Sequence, residues 1–287
     1  MEEKYEKEIS TINPLIFHQR MPHIFDLILK QLDNKSLKNC KEVSKPWNVN
    51  FDKKKLCWIR IVSIPKILQN GNTYLHISAS TGQSKMSEKL LENEDIKDPK
   101  NDYKETPFFL ACSNGHLNVA ELIMQKSAEH NIDLNTIDDT DMTPFHFACR
   151  KRHFNVVEFL IQKSAEYNID LNFKHSFGWT AFHFACIEGR SKTVRMLLEK
   201  SLEYDIDINA KDIFGRTAFH MACWNDNSKI VEMLIQKSVD LNIELNAKDE
   251  DGKTAFDFAF QDLKLYIMNL MCKYSKEYFK FNLDKGE

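Results

Sequence analysis

Three histidines recur with three cysteines at one short spacing: His146 with Cys149, His183 with Cys186, and His220 with Cys223. Residues three apart share a helix face, so each pair would offer an imidazole and a thiol to one surface. Two chemistries use that combination: zinc ligation, and attack by a histidine-activated thiolate. Neither is expected here. Zinc needs its ligand atoms about 2.0–2.3 Å from one ion. Packed helices lie roughly 8–10 Å apart, so pairs on neighbouring helices do not easily share an ion. One histidine and one cysteine leave a coordination shell incomplete. A pair that recurs from unit to unit reads as a packing rule, with the cysteine a small buried apolar residue.

Other catalytic signatures are missing from the sequence. It has no P-loop, no G-x-G-x-x-G, no G-x-S-x-G, no H-E-x-x-H and no EF-hand loop. Carboxylates are many, but they gather in turn-like stretches such as Asp138-Asp139 and Asp249-Glu250-Asp251, where solvated turn charge is the plain reading. Lys53-Lys54-Lys55 reads as a solvated face. The expectation is a non-catalytic chain with no catalytic residues, no cofactor and no metal.

The elements that hold the His/Cys pairs are repeated. Threonine opens six similar segments: T-Y-L-H at Thr73, T-P-F-F at Thr106, T-P-F-H at Thr143, T-A-F-H at Thr180 and Thr217, and T-A-F-D at Thr254. The first step is 33 residues and the next four are 37 each. A fixed period of this length means a solenoid of stacked units. Thr143 suits an N-cap and Pro144 the first helical position. Phe145, Phe147, Ala148 and Cys149 supply an inner helix. Gly115 and Gly189 close two such helices. Val156, Val157, Phe159, Leu160 and Ile161 carry a second helix at helical spacing. Asn-Ile-Asp-Leu-Asn then breaks it and leads to a turn holding Phe-Gly-Trp at 177–179, Phe-Gly-Arg at 214–216 and Asp-Gly-Lys at 251–253.

The pattern G-x-T-[PA]-F-H-x-A-C, followed by a second helix and an Asp/Asn-rich turn, resembles the ankyrin repeat over about three quarters of the chain. The resemblance implies an all-α fold: an ankyrin-repeat solenoid of about six helix-turn-helix units with β-turn fingers, over residues 71–283, with units starting near 71, 102, 139, 176, 213 and 250. Phe109 and Asp257 replace the family's usual histidine in the second and sixth units. The common unit is 33 residues long, so the 37-residue steps carry four more, close to one helical turn. They are expected to lengthen the outer helix without rotating its buried face. In the ankyrin family, variable residues around the turn and at the end of the inner helix face a protein partner. The matching positions are Phe177, Trp179 and Ile187 in the fourth unit, and Phe214, Arg216 and Trp224 in the fifth. Large apolar side chains there ask for a partner.

The first sixty residues do not repeat. A charged tail over 1–11 is expected to be flexible, and 61–70 reads as a joint. Between them, residues 12–60 hold Met21-Pro22, an apolar row through Ile24, Phe25, Ile28 and Leu32, then Val43-Ser44-Lys45-Pro46-Trp47, Leu56 and Trp58. This small helical module resembles an F-box. The resemblance implies docking on the Skp-type adaptor of a cullin–RING ubiquitin ligase through Met21, Pro22, Ile24, Phe25, Ile28, Leu32 and Val43, with Trp47 and Trp58 holding the module together. The repeats would then capture a protein target.

Composition narrows the partners. Of 287 residues, 43% are hydrophobic and 28% charged, enough for a substantial core. Residues 1–70 carry 13 Lys/Arg against 8 Asp/Glu, and the remainder carries 26 against 34. An acidic body is a poor phosphate binder, so nucleic acid is not an expected partner. No signal peptide and no apolar run of membrane-spanning length is read, so no membrane partner is expected. Seven cysteines without a C-x-x-C pair fit a reduced, cytoplasmic or nuclear setting.

Overall fold

A computed structural model describes residues 69–92 and 98–283, with side chains to residue 274. The expected tail, the F-box-like module and most of the joint lie outside the described residues.

Each unit starts from its threonine. Thr73, Thr106, Thr143, Thr180, Thr217 and Thr254 all have extended backbones and precede a seven-residue helix. A hydroxyl at the N-cap satisfies an amide that the helix itself leaves open. Pro107 and Pro144 take the first helical position at no hydrogen-bond cost. The six inner helices are α1 (Tyr74–Ser80), α3 (Pro107–Ser113), α6 (Pro144–Arg150), α8 (Ala181–Ile187), α10 (Ala218–Trp224) and α12 (Ala255–Gln261). The outer helices are α2 (Ser84–Leu91), α4 with α5 (Leu117–Gln125, Ser127–His130), α7 (Phe154–Tyr167), α9 (Ser191–Lys200), α11 (Ser228–Leu241) and α13 (Leu265–Leu283). Each inner helix packs on the next, and so does each outer helix, giving a two-layered stack. The all-α solenoid read from the repeat is the observed fold, with no strand among the described residues.

The core runs unbroken between the two layers. Phe108, Phe145, Phe182 and Phe219 fill it from the inner helices, and Ile123, Leu160, Leu197 and Leu234 from the outer ones. Cys112, Cys149, Cys186 and Cys223 are fully buried beside them.

The four extra residues give a full-length outer helix in two units only: α7 and α11 each run 14 residues. In the second unit the helix is interrupted at Lys126, and in the fourth it stops at Lys200 with turns to Asp205. The four residues at the break do not decide this, since Lys-Ser-Ala-Glu stands both at the interruption (126–129) and inside the continuous α7 (163–166), followed by His130 in the one and Tyr167 in the other. The neighbour differs. The interruption lies beside the short α2, and His130 turns inward to donate from Nε2 to the Leu91 carbonyl at 2.8 Å. The long stretch ends alike in all four units, on a left-handed residue: Asn131, Asn168, Asp205 and Asn242.

Candidate interaction surface on the fingers

The recurring histidines occupy the joints between units. His146 accepts at Nδ1 from the Thr143 amide (3.2 Å) and hydroxyl (2.8 Å), while Nε2 donates to the Trp179 carbonyl of the next unit at 3.2 Å. A carbonyl can only accept, which fixes the tautomer with the proton on Nε2. His76 repeats this to Glu105, His183 to Arg216 and His220 to Lys253, at 3.0, 3.3 and 3.4 Å. Both ring nitrogens are thereby engaged in holding one unit to the next. Burial pushes His76, His146 and His183 down to about 4, below the ordinary imidazole value near 6.5, and lowers His220 as well. The cysteine thiols are pushed up by burial, away from the nucleophilic thiolate. The His/Cys pairs are therefore packing and joint residues. Among the described residues no cluster of three His, Cys, Asp or Glu is arranged to hold a metal.

Two further ladders cross the same joints. On the outer loops, Asn135 donates to the Asn168 carbonyl (2.7 Å) and accepts from the Asp170 amide (3.0 Å). Asn172 does the same to Asp205 and Asp207, and Asn209 to Asn242 and Glu244. Just past the inner helices, His116, His153, Arg190, Asn227 and Lys264 each donate to a carbonyl at the end of the preceding unit's inner helix, namely those of Ser80, Ser113, Arg150, Ile187 and Trp224. These links satisfy carbonyls that a helix end leaves open.

The fingers are built on a residue that accepts from its own loop. Asp212 Oδ1 takes the amides of Phe214 (2.9 Å) and Arg216 (2.8 Å), and Asp138 takes those of Thr140 and Met142. In the fourth unit His175 Nδ1 does this work for Trp179 at 3.0 Å. Successive tips are joined by backbone bonds: Tyr103 O to Asp139 N, Phe177 O to Ile213 N, and Phe214 O to Glu250 N, all 2.9–3.1 Å. That close approach needs glycine at 178, where φ is +77° and a Cβ would lie 2.9 Å from the Ile213 nitrogen.

The expected target-binding residues divide on this frame. Phe214 and Trp224 are exposed, 45% and 44%, and the Arg216 guanidinium lies over both rings, 4.4 and 5.6 Å from their centroids. Phe177 is 56% exposed at the neighbouring tip. Arg216 is pinned from behind by Asp212, whose carboxylate is fully buried 2.7 Å away. Burial alone would raise the Asp212 pKa. Hydrogen bonds from Arg216 and the Phe214 amide outweigh it and hold the carboxyl below its usual value. Trp179 is turned inward: it is half-buried, packs on His175 and Phe184, and its indole donates to Asp212 Oδ2 at 3.2 Å. Ile187, the counterpart of Trp224 one unit earlier, is half-buried, and its carbonyl accepts from Asn225 and Asn227. Ile213, 49% exposed beside Phe214, was not among the expected residues. Its signal was its column: Asp102, Asp139, Ser176 and Glu250 occupy the same position, and Ile213 alone is apolar. The expected adaptor contacts Met21, Pro22, Ile24, Phe25, Ile28, Leu32 and Val43 lie outside the described residues.

No helix among the described residues is long and apolar enough to cross a membrane. A search of curated proteins found no match. Two family models match, one for three copies of the ankyrin repeat at residues 49–138 and 128–212, the other for many copies at 201–259. Together they span well over half of the chain, and the repeats they describe are the capped helix pairs and fingers set out above. The chain belongs to the ankyrin-repeat family, whose members are protein-binding scaffolds.

Proposed function

We propose that this protein is a substrate receptor that holds a target protein on the fingers of its fourth and fifth units. The observation that carries the reading is the row Phe177, Ile213, Phe214 and Trp224, large apolar groups held in solvent by a rigid backbone. Rings fixed in this way lose little conformational freedom on binding, which favours them as anchors. Trp224→Ala should abolish target capture in proximity labelling and leave the melting temperature unchanged. Trp179→Ala should instead lower the melting temperature, because it removes ring packing and the bond to Asp212. Capture that survives Trp224→Ala at full strength would place the target elsewhere.

In the same proposal, residues 12–60 dock on a Skp-type adaptor and so on a cullin complex, making the chain the recognition subunit of a ubiquitin ligase. The support is the F-box-like motif from Met21-Pro22 to Trp58. A Pro22→Ala, Ile28→Asp double variant should lose adaptor binding with the repeats still folded. If the wild-type chain fails to bind the adaptor at micromolar concentration, the chain is an ankyrin scaffold or inhibitor outside ubiquitination.

A further inference from the structure

The fingertips differ in kind along the row. The two exposed tip positions are Asp139 and Thr140 in the third unit, Ser176 and Phe177 in the fourth, Ile213 and Phe214 in the fifth, and Glu250 and Asp251 in the sixth. Asp141 adds to the acidic third finger, which holds no cation between Asp138 and Thr143. The sixth finger sets Asp249, Glu250 and Asp251 against Lys248 and Lys253, a balance that is still acidic. The fourth finger carries no Asp, Glu, Lys or Arg, and in the fifth Asp212 and Arg216 cancel at 2.7 Å. Beside the third and fourth fingers, Arg150 is paired with Glu188 at 3.0 Å, and the Lys151 ammonium lies over the Phe147 ring. An apolar centre is thus bracketed on both sides by acidic tips.

From this pattern we infer that the fingers take an extended protein segment with an apolar, aromatic-accepting centre and Lys or Arg at both ends. The inference rests on the fingertip reading proposed above and adds the chemistry of the occupant. Stacked units lie roughly 10 Å apart, so the third and sixth tips are separated by about 30 Å. An extended chain rises about 3.3 Å per residue, so about nine residues span that distance. The tips form one narrow row, with backbone bonds joining the fourth to the fifth and the fifth to the sixth, which suits a single extended strand of partner. The separation exceeds the Debye length of about 8 Å at physiological salt, so the two acidic ends act independently.

The test uses the full chain and three fluorescein-labelled peptides of about nine residues, with a shared Leu-Trp-Leu centre and three Lys, three Ser or three Glu at each end. Anisotropy should rank the Lys-ended peptide about tenfold tighter than the Ser-ended one at low salt, with the gap closing near 0.5 M salt. Asp139→Lys with Glu250→Lys, both exposed side chains, should reverse the order in favour of Glu ends. Equal binding of Lys- and Ser-ended peptides, a preference for Glu ends in the wild type, or no binding of any of the three overturns the inference. The underlying reading is tested apart from it. If target capture is lost in Trp224→Ala yet indifferent to the charge reversal, the fingertip site stands and its charge rule falls. If a Lys-end preference persists undiminished in Phe214→Ala with Trp224→Ala, binding lies off the fingertips and both fall.

Discussion

Two kinds of joint hold this stack. Between the third and fourth, fourth and fifth, and fifth and sixth units, a buried histidine links a threonine cap to a carbonyl of the next finger. Between the second and third, Phe109 stands in that place, fully buried and edge-on to Phe147 at 5.1 Å. There the Thr106 hydroxyl turns to the hydroxyl of Thr136 at 3.2 Å. The backbone step is the same in both. A solenoid joint thus accepts either a satisfied polar link or an apolar ring, provided that no buried polar group is left alone. The two solutions differ in one respect: only the histidine joint can titrate.

Acid should therefore separate them, with the largest effect of any test. His76, His146 and His183 fall to about 4 in the folded chain and recover about 6.5 when it unfolds. Their contribution is whole above pH 6.5 and is lost as pH falls from there through 4, because the unfolded chain then binds more protons. At about 1.4 kcal/mol per unit, each joint loses on the order of 3 kcal/mol by pH 4. Asp98 works the other way. Burial, with the charge of Asp133, raises it to about 6, so its cost is greatest at neutral pH and relieved by acid. Burial raises Glu105 as well, and two such groups do not offset three histidines. Urea midpoints measured from pH 7 to pH 4 should fall steeply below pH 6.5; a flat profile would mean that the rings are solvated.

Exchanging the joints should have a smaller effect, and an unequal one. His183→Phe leaves the Thr180 amide and hydroxyl and the Arg216 carbonyl short of their partner, and should cost about 2–3 kcal/mol. It should also flatten the acid profile by one joint. Phe109→His should cost about 1 kcal/mol or less, since a waiting set of partners limits the loss. The Met142 carbonyl accepts from Asp138 at 3.1 Å just as the Trp179 carbonyl accepts from His175 at 3.1 Å, and Thr106 already caps its helix. Urea unfolding of both variants reads the difference directly. Asn172→Ala, on the outer edge of a joint, should have the smallest effect, about 0.5 kcal/mol, because its two bonds are exposed to solvent.

The stack was legible because its rules are local. A threonine marks each cap, before a proline or alanine in five of the six and before Tyr74 in the first, and a step of 33 and then 37 residues marks the units. The buried role of histidine and cysteine followed from their recurrence. The orientation of Trp179 was not legible, because its partner Asp212 lies 33 residues away and the other residues of the finger do not specify it. The interruption at Lys126 was hidden for a similar reason: its cause lies in the short neighbouring helix and the carbonyl of Leu91. What a residue does within its own turn can be read from the chain. What it does across a joint depends on the unit beside it.

The asparagine clamps have a mechanical consequence. Asn135, Asn172 and Asn209 each grip the following unit by one donated and one accepted bond, so shear between those units must break both at once. A chain pulled from its two ends should then lengthen in discrete events, each releasing one unit. A 37-residue unit spans about 130 Å when stretched, against roughly 10 Å in the stack, so each event should add on the order of 120 Å. Replacing Asn172 should lower the force of one event without changing its length.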